Sequence, residues 1–164
     1  MLDNYFKKPL FWDYLISIII VLIISRLCFL GIILIPLEDK YTAIASDITN
    51  ISLTSSGFIL TLLTVLITFK SGSDITEKKV KETNSTFELF FSSSLYFETV
   101  KHLKNCIKSL LIISILGFTL KICLTGSYIY LIFYFNIIGL TIIVLTLWRC
   151  LLILSKILEM QKRD

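Results

Sequence analysis

The sequence predicts an all-α, polytopic membrane protein: a bundle of four transmembrane helices with cytoplasmic helical extensions, assembled as a symmetric homo-oligomer. Composition is the first reason. The chain of 164 residues is 55% hydrophobic and 17% charged, whereas soluble domains are roughly 45–50% apolar and about 25% charged. Length is the second reason, because four apolar stretches each reach the roughly 20 residues that cross a bilayer core about 30 Å thick. A mean hydropathy of +0.85 agrees with both, and an ordinary soluble domain is excluded.

Each predicted span has its own pattern of charge. The first carries Asp13 at its cytoplasmic edge and Arg26 further in, and it meets Pro36, which stops a helix just before three charged residues. The second and the fourth contain no charged residue, and the third carries Lys108 and Lys121 near its ends. We treat residues 1–164 as one membrane domain, whose predicted spans are 11–37, 51–69, 106–124 and 128–148, with a loop at 70–105 and a tail at 149–164.

The cations set the expected orientation. Thirteen of the 16 lysines and arginines lie in the N-terminal segment, the loop with its edges, or the tail. Lys and Arg are retained on the cytoplasmic side of a membrane. We therefore expect both termini in the cytoplasm and a location in the bacterial inner membrane, with lipid as a direct contact.

A polar stripe in the second span is the strongest candidate feature. Its members recur at alternating steps of three and four residues, so they share one face of a helix. Small and hydroxyl residues in a membrane let helices approach closely or line a wet cavity. Packing within one subunit and pore lining in an oligomer both remain open. The stripe consists of Asp47, Asn50, Thr54, Gly57, Thr61, Thr64 and Thr68.

Further polar residues are expected in the outer layer of the membrane. Arg26, Lys121 and Asn136 all fall at that depth when residues are counted from the ends of their spans. An Arg inside a span faces the bundle interior or water, or it snorkels to the surface. The hypothesis is a net-positive vestibule in which Asp47 is the counter-ion of Arg26, and simple snorkelling is the alternative.

The loop carries an aromatic segment that is too apolar for a free linker. Such a segment lies in the membrane interface or docks another protein. We expect it to contact a cytosolic protein. The candidate docking residues are Phe87, Phe90, Phe91, Tyr96 and Phe97.

No catalytic pattern is present in the sequence. His102 is the single histidine, so neither a Ser-His-Asp triad nor a zinc site with two histidines can be assembled. Glycine-rich phosphate loops are missing as well. We expect no enzymatic activity, no catalytic or metal-binding residue, no cofactor and no direct contact with nucleic acid.

The chain resembles small multipass proteins of bacterial antiphage loci. The resemblance is carried by four short spans, the run Leu60-Thr61-Leu62-Leu63-Thr64-Val65-Leu66-Ile67, the aromatic segment and the closing Trp148-Arg149-Cys150-Leu151-Leu152. The membrane subunit of the Kiwa system and the membrane accessory protein of type VI-B CRISPR loci are the two proteins for comparison. The resemblance implies an oligomeric membrane sensor or effector in antiphage defence that acts with a cytosolic partner. The alternative is a pore-forming, holin-like protein that permeabilises the membrane.

Overall fold

A computed structural model describes residues 9–76, 90, 93–124, 128 and 130–161 of the chain. Within these residues the structure has four α-helices: α1 (Pro9–Phe29), α2 (Glu38–Thr76), α3 (Ser94–Cys123) and α4 (Leu131–Gln161). Each of the four is long and apolar enough to cross a membrane. The prediction of an all-helical fold with four helices long and apolar enough to span a membrane is confirmed.

The first helix ends earlier than its apolar run. Gly31 adopts φ +71°, a conformation in which glycine has no steric penalty. The amide of Gly31 bonds to the carbonyl of Cys28 at 3.0 Å, and that of Ile32 to the carbonyl of Leu27 at 3.1 Å. This pair of bonds is a Schellman motif. The predicted span 11–37 therefore contains a helix that Gly31 closes, and Pro36 is not its stop.

The other three helices are longer than their predicted spans. α2 has 39 residues, which at 1.5 Å per residue gives about 58 Å of helix. Glu38 and Asp39 lie in its first turn, where acids offset the positive end of the helix dipole. α3 begins after Ser93, whose hydroxyl accepts the amide of Leu95 at 3.2 Å, as an N-cap residue does. α4 continues past the predicted end at residue 148.

The described helices form two compact units. The first unit comprises Met1–Ser55 and Ser109–Thr146. Its core is built mainly by α2, α3 and α4, with apolar side chains that are at most 7% exposed: Ala45, Ile48, Leu110, Ile113, Ile132, Phe135, Ile142 and Ile143. α1 joins this unit through polar residues near its start, where Asp13 and Ser17 are fully buried and the Tyr14 hydroxyl lies 3.4 Å from the Ser109 hydroxyl.

The second unit comprises Ser56–Lys108 and Leu147–Asp164. Ile59, Leu103 and Cys106 are fully buried in it. Arg149 is also fully buried, which is unusual for a charged side chain.

Candidate functional site

The polar stripe of α2 is exposed along its whole length. In the first unit Asp47, Asn50 and Thr54 are exposed. In the second unit the same holds for the four remaining members, Gly57, Thr61, Thr64 and Thr68. The stripe is therefore not covered by the part of the chain that the structure describes.

The face of α2 that does pack is a different set of residues. In the first unit Ala45, Ile48 and Ser52 are buried, and in the second unit Ile59 and Leu63 are buried. At about 100° per residue these positions lie roughly opposite the stripe on the helix. Among the described residues, the face of α2 that packs inside the subunit is therefore a different face from the stripe.

The space beside the glycines agrees with this division of α2 into a packed face and an exposed face. A Cβ added at Gly57 would meet nothing within 4 Å. A Cβ added at Gly117 would lie 2.1 Å from the Thr49 hydroxyl oxygen, and one at Gly139 would lie 2.8 Å from Ile48. Close helix approach inside the first unit depends on Gly117 and Gly139, whereas Gly57 leaves open space beside α2.

The threonine hydroxyls of the stripe are bonded along their own helix. Thr61 donates to the carbonyl of Gly57 at 3.1 Å, Thr64 to that of Leu60 at 3.0 Å, and Thr68 to that of Thr64 at 3.0 Å. These hydroxyl protons are used within the helix, which leaves methyl groups and oxygen lone pairs on the exposed face. Such a face suits close contact with another helix or with a polar path.

Arg26 does not meet its expected counter-ion. Arg26 lies in the last turn of α1, where the negative end of the helix dipole stabilises a cation. Its guanidinium is 5.7 Å from the centre of the Phe29 ring. Asp47 is exposed on α2, and no ion pair joins it to Arg26 among the described residues. The Arg26–Asp47 pair of the vestibule hypothesis is thus replaced by a cation–π contact within α1.

Two other residues of the predicted outer layer bind the start of α2. The amide nitrogen of Asn136 donates to the Tyr41 carbonyl at 2.7 Å and is buried with it. The ammonium group of Lys121 donates to the Ser46 hydroxyl. Asn136 and Lys121 therefore tie α4 and α3 to α2 inside the first unit.

The aromatic segment divides into buried and exposed residues. Phe90 and Tyr96 are each 5% exposed, whereas Phe97 is 61% exposed. The Lys70 ammonium lies 4.6 Å from the centre of the Tyr96 ring and 4.3 Å from that of Phe97. Phe90 and Tyr96 thus pack inside the second unit, whereas Phe97 is accessible, and docking of a partner by this segment stays a prediction. The other two docking candidates, Phe87 and Phe91, fall outside the described residues.

Arg149, the first residue of the predicted cytoplasmic tail, is buried in the structure. Its side chain is fully buried, and its Nε donates to the Cys106 sulfur at 3.4 Å. A signal was available, because Arg149 follows the buried Phe135 and Ile142 at steps of seven residues, which keeps all three on one helix face.

The described residues offer no group of three or more metal-ligating side chains. No protein-family model matches the chain, and neither a curated protein nor a solved structure matches it.

Proposed function

We propose that this protein is a homo-oligomeric membrane effector whose copies meet through the polar stripe of α2. The observation that carries the proposal is the exposure of seven small or polar residues on the side of α2 away from its own packed face. Hydrocarbon offers no hydrogen bonds to Asn50 or to the threonine oxygens. Small residues on such a face allow another helix to come close.

If the subunits form a symmetric ring, contact through α2 creates a path for ions along the ring axis. Closed cyclic symmetry is the usual arrangement of identical subunits. With α2 nearest the axis, Asp47 and Asn50 lie at one end of a path and Thr61, Thr64 and Thr68 continue it. Ions that cross through such a path would depolarise the membrane. This activity fits the antiphage role that the resemblance implies, in the bacterial inner membrane with both termini in the cytoplasm and without enzymatic chemistry.

Gly57→Leu is the sharpest test of this proposal. The open space beside Gly57 accommodates the larger side chain in a single subunit, and leucine is a better helix former than glycine by roughly 0.5–1 kcal/mol. The variant should fold normally yet keep neighbouring α2 helices apart. Thr119→Leu is the matched control, because Thr119 is exposed on α3 and its hydroxyl bonds to the Ile115 carbonyl as the stripe threonines bond to theirs.

The readouts are subunit number in lipid nanodiscs, by single-molecule photobleaching, and single-channel current in planar bilayers. The native protein and Thr119→Leu should be oligomeric and conducting. Gly57→Leu should be monomeric and show no current, with a thermal stability equal to or slightly above that of the native subunit. A native protein that is monomeric in nanodiscs would refute the proposal.

A second candidate is a non-conducting sensor that recruits a cytosolic protein. The exposure of Phe97 favours it, since an aromatic ring at the surface is a common anchor for a partner. If the protein is such a sensor, Phe97→Ser should abolish recruitment of the cytosolic protein in a co-purification assay. The absence of channel current from the native protein in planar bilayers would distinguish the sensor from the pore. Unchanged recruitment in Phe97→Ser would exclude docking through this ring.

A further inference from the structure

The N-terminal part of α3 has one basic face. Phe97, Lys101, Lys104 and Lys108 are all exposed, and their steps of four, three and four residues place them on one side of the helix. The opposite side is buried in the second unit, where Tyr96, Leu103 and Cys106 are at most 5% exposed. We call the exposed set the basic face.

Contacts within the second unit hold the ring on this face in position. Phe97 lies edge-on to Tyr96, with 5.4 Å between ring centres. The Lys70 ammonium lies 4.3 Å from the centre of the Phe97 ring, so a cation of α2 contacts the ring that begins the basic face. Glu98 is exposed next to Phe97, about 100° around the helix from it. One cation, Lys70, therefore lies against the exposed ring, and the three lysines of α3 continue the same face along the helix.

The basic face lies where α3 changes from charged to apolar. After Lys108 the next 12 residues, 109–120, carry no charge, and exposed side chains among them include Ile115 at 63% and Phe118 at 47%. Lys101 and Lys108 are separated by about 10 Å along the helix, while the headgroup layer of a bilayer is roughly 5–8 Å thick on each side. The row of lysines is thus slightly longer than the headgroup layer, and with Lys108 at the edge of the apolar segment its neighbours extend through that layer towards water.

We infer that the basic face binds the anionic phosphate headgroups of phospholipids in the leaflet at this end of α3. Charge complementarity selects this occupant, because the ammonium groups can reach the headgroup oxygens while their alkyl stems lie along acyl chains. Each lysine near an anionic membrane surface contributes about 1 kcal/mol, which is a factor of about five in binding. Phe97 supplies an aromatic ring at the interface, where amphipathic surfaces insert. The inference does not depend on pore formation.

The test is the lipid preference of the full-length protein in vesicles of phosphatidylcholine and phosphatidylglycerol in equal amounts. Spin-labelled versions of the two lipids report which one the protein immobilises, by electron paramagnetic resonance. The variant of interest is the double substitution K101Q/K104Q. K40Q/K156Q is the matched control, since it removes the same charge from two other exposed positions. K101R/K104R keeps the charge.

The native protein, K40Q/K156Q and K101R/K104R should prefer phosphatidylglycerol. K101Q/K104Q should lose about fivefold of that preference for each lysine removed at low salt, and added salt should weaken it in all four proteins. Equal losses in the two glutamine variants, or a native protein with no preference, would overturn the inference. A K101Q/K104Q variant that keeps its lipid preference but loses a co-purifying cytosolic protein would assign the face to a protein and would also overturn it. Loss of channel current with intact lipid preference would bear on the proposed function alone.

Discussion

Gly117→Ala adds a single methyl group, yet it is expected to lower the free energy of unfolding of the first unit. A Cβ at this position would lie 2.1 Å from the Thr49 hydroxyl oxygen and 3.0 Å from Cζ of Phe135. Ordinary contacts between non-bonded heavy atoms are about 3.5–4.0 Å, so the Thr49 hydroxyl must move by more than an ångström. That oxygen is fully buried and donates to the Ala45 carbonyl at 2.6 Å. Overpacking of this kind costs about 1–3 kcal/mol.

A second substitution separates this clash from a general loss of stability. Thr49→Ala removes the atom that the new methyl group meets, and by itself it should cost about 1 kcal/mol through the lost hydrogen bond. The double variant Thr49→Ala/Gly117→Ala should then be about as stable as Thr49→Ala alone, which gives a coupling free energy of about 1–2 kcal/mol in a double-mutant cycle.

The assay is equilibrium unfolding in mixed micelles, followed by far-ultraviolet circular dichroism. Gly57→Ala is the control because it is the same substitution in a place where the new Cβ meets nothing within 4 Å. It should leave the free energy of unfolding unchanged or raise it by up to about 1 kcal/mol. The proposed packing of α3 against α2 is refuted if Gly117→Ala behaves like Gly57→Ala, or if Thr49→Ala brings no recovery.

Three further substitutions test other contacts. Arg149→Ala removes a fully buried side chain, and the cavity should lower the free energy of unfolding by about 2–4 kcal/mol, as measured by unfolding in micelles. Lys70→Met removes the cation above Tyr96 and Phe97, which should cost about 0.5–2 kcal/mol; equal protease resistance of variant and native protein would contradict this. Asn136→Asp replaces the donor to the Tyr41 carbonyl by a carboxylate, so stability should fall by about 1–3 kcal/mol at neutral pH. It should recover in acid, where a protonated carboxyl donates again, and a melting temperature independent of pH would argue against this bond.

Helix number and type follow from the sequence because length and hydropathy alone determine which segments span a bilayer. The end of α1 was harder to predict. Pro36 is a strong helix breaker, yet Gly31 ends the helix through backbone bonds to Cys28 and Leu27. A single glycine inside an apolar run gives no clear signal, since membrane helices tolerate glycine.

The stripe of α2 shows what periodicity can and cannot predict. It groups Thr61, Thr64 and Thr68 on one face, but the buried face of the same helix also carries small polar residues, Ser52 and Ser56. Both faces therefore match the pattern of a packed membrane helix. Contacts from other helices decide which face is covered, and these contacts depend on tertiary packing.

Arg149 and Phe90 show that local composition does not predict which side chains are buried. A cation after an apolar span is usually solvated, and aromatic residues in a loop usually mark a surface contact. In the structure Arg149 is fully buried, and Phe90 is 5% exposed with its ring 6.2 Å from that of Tyr96. Their burial depends on residues far away in the sequence, so local composition does not predict it.

Disulfide cross-linking between copies tests the central claim most directly. The test introduces Thr64→Cys, or Thr119→Cys as the control, into a chain whose two accessible cysteines, Cys28 and Cys123, are replaced by serine; the other two cysteines are buried. Oxidation in native membranes should cross-link Thr64→Cys chains into dimers and leave Thr119→Cys chains monomeric. Equal cross-linking of the two variants, or none in Thr64→Cys, would contradict an assembly through the polar stripe of α2.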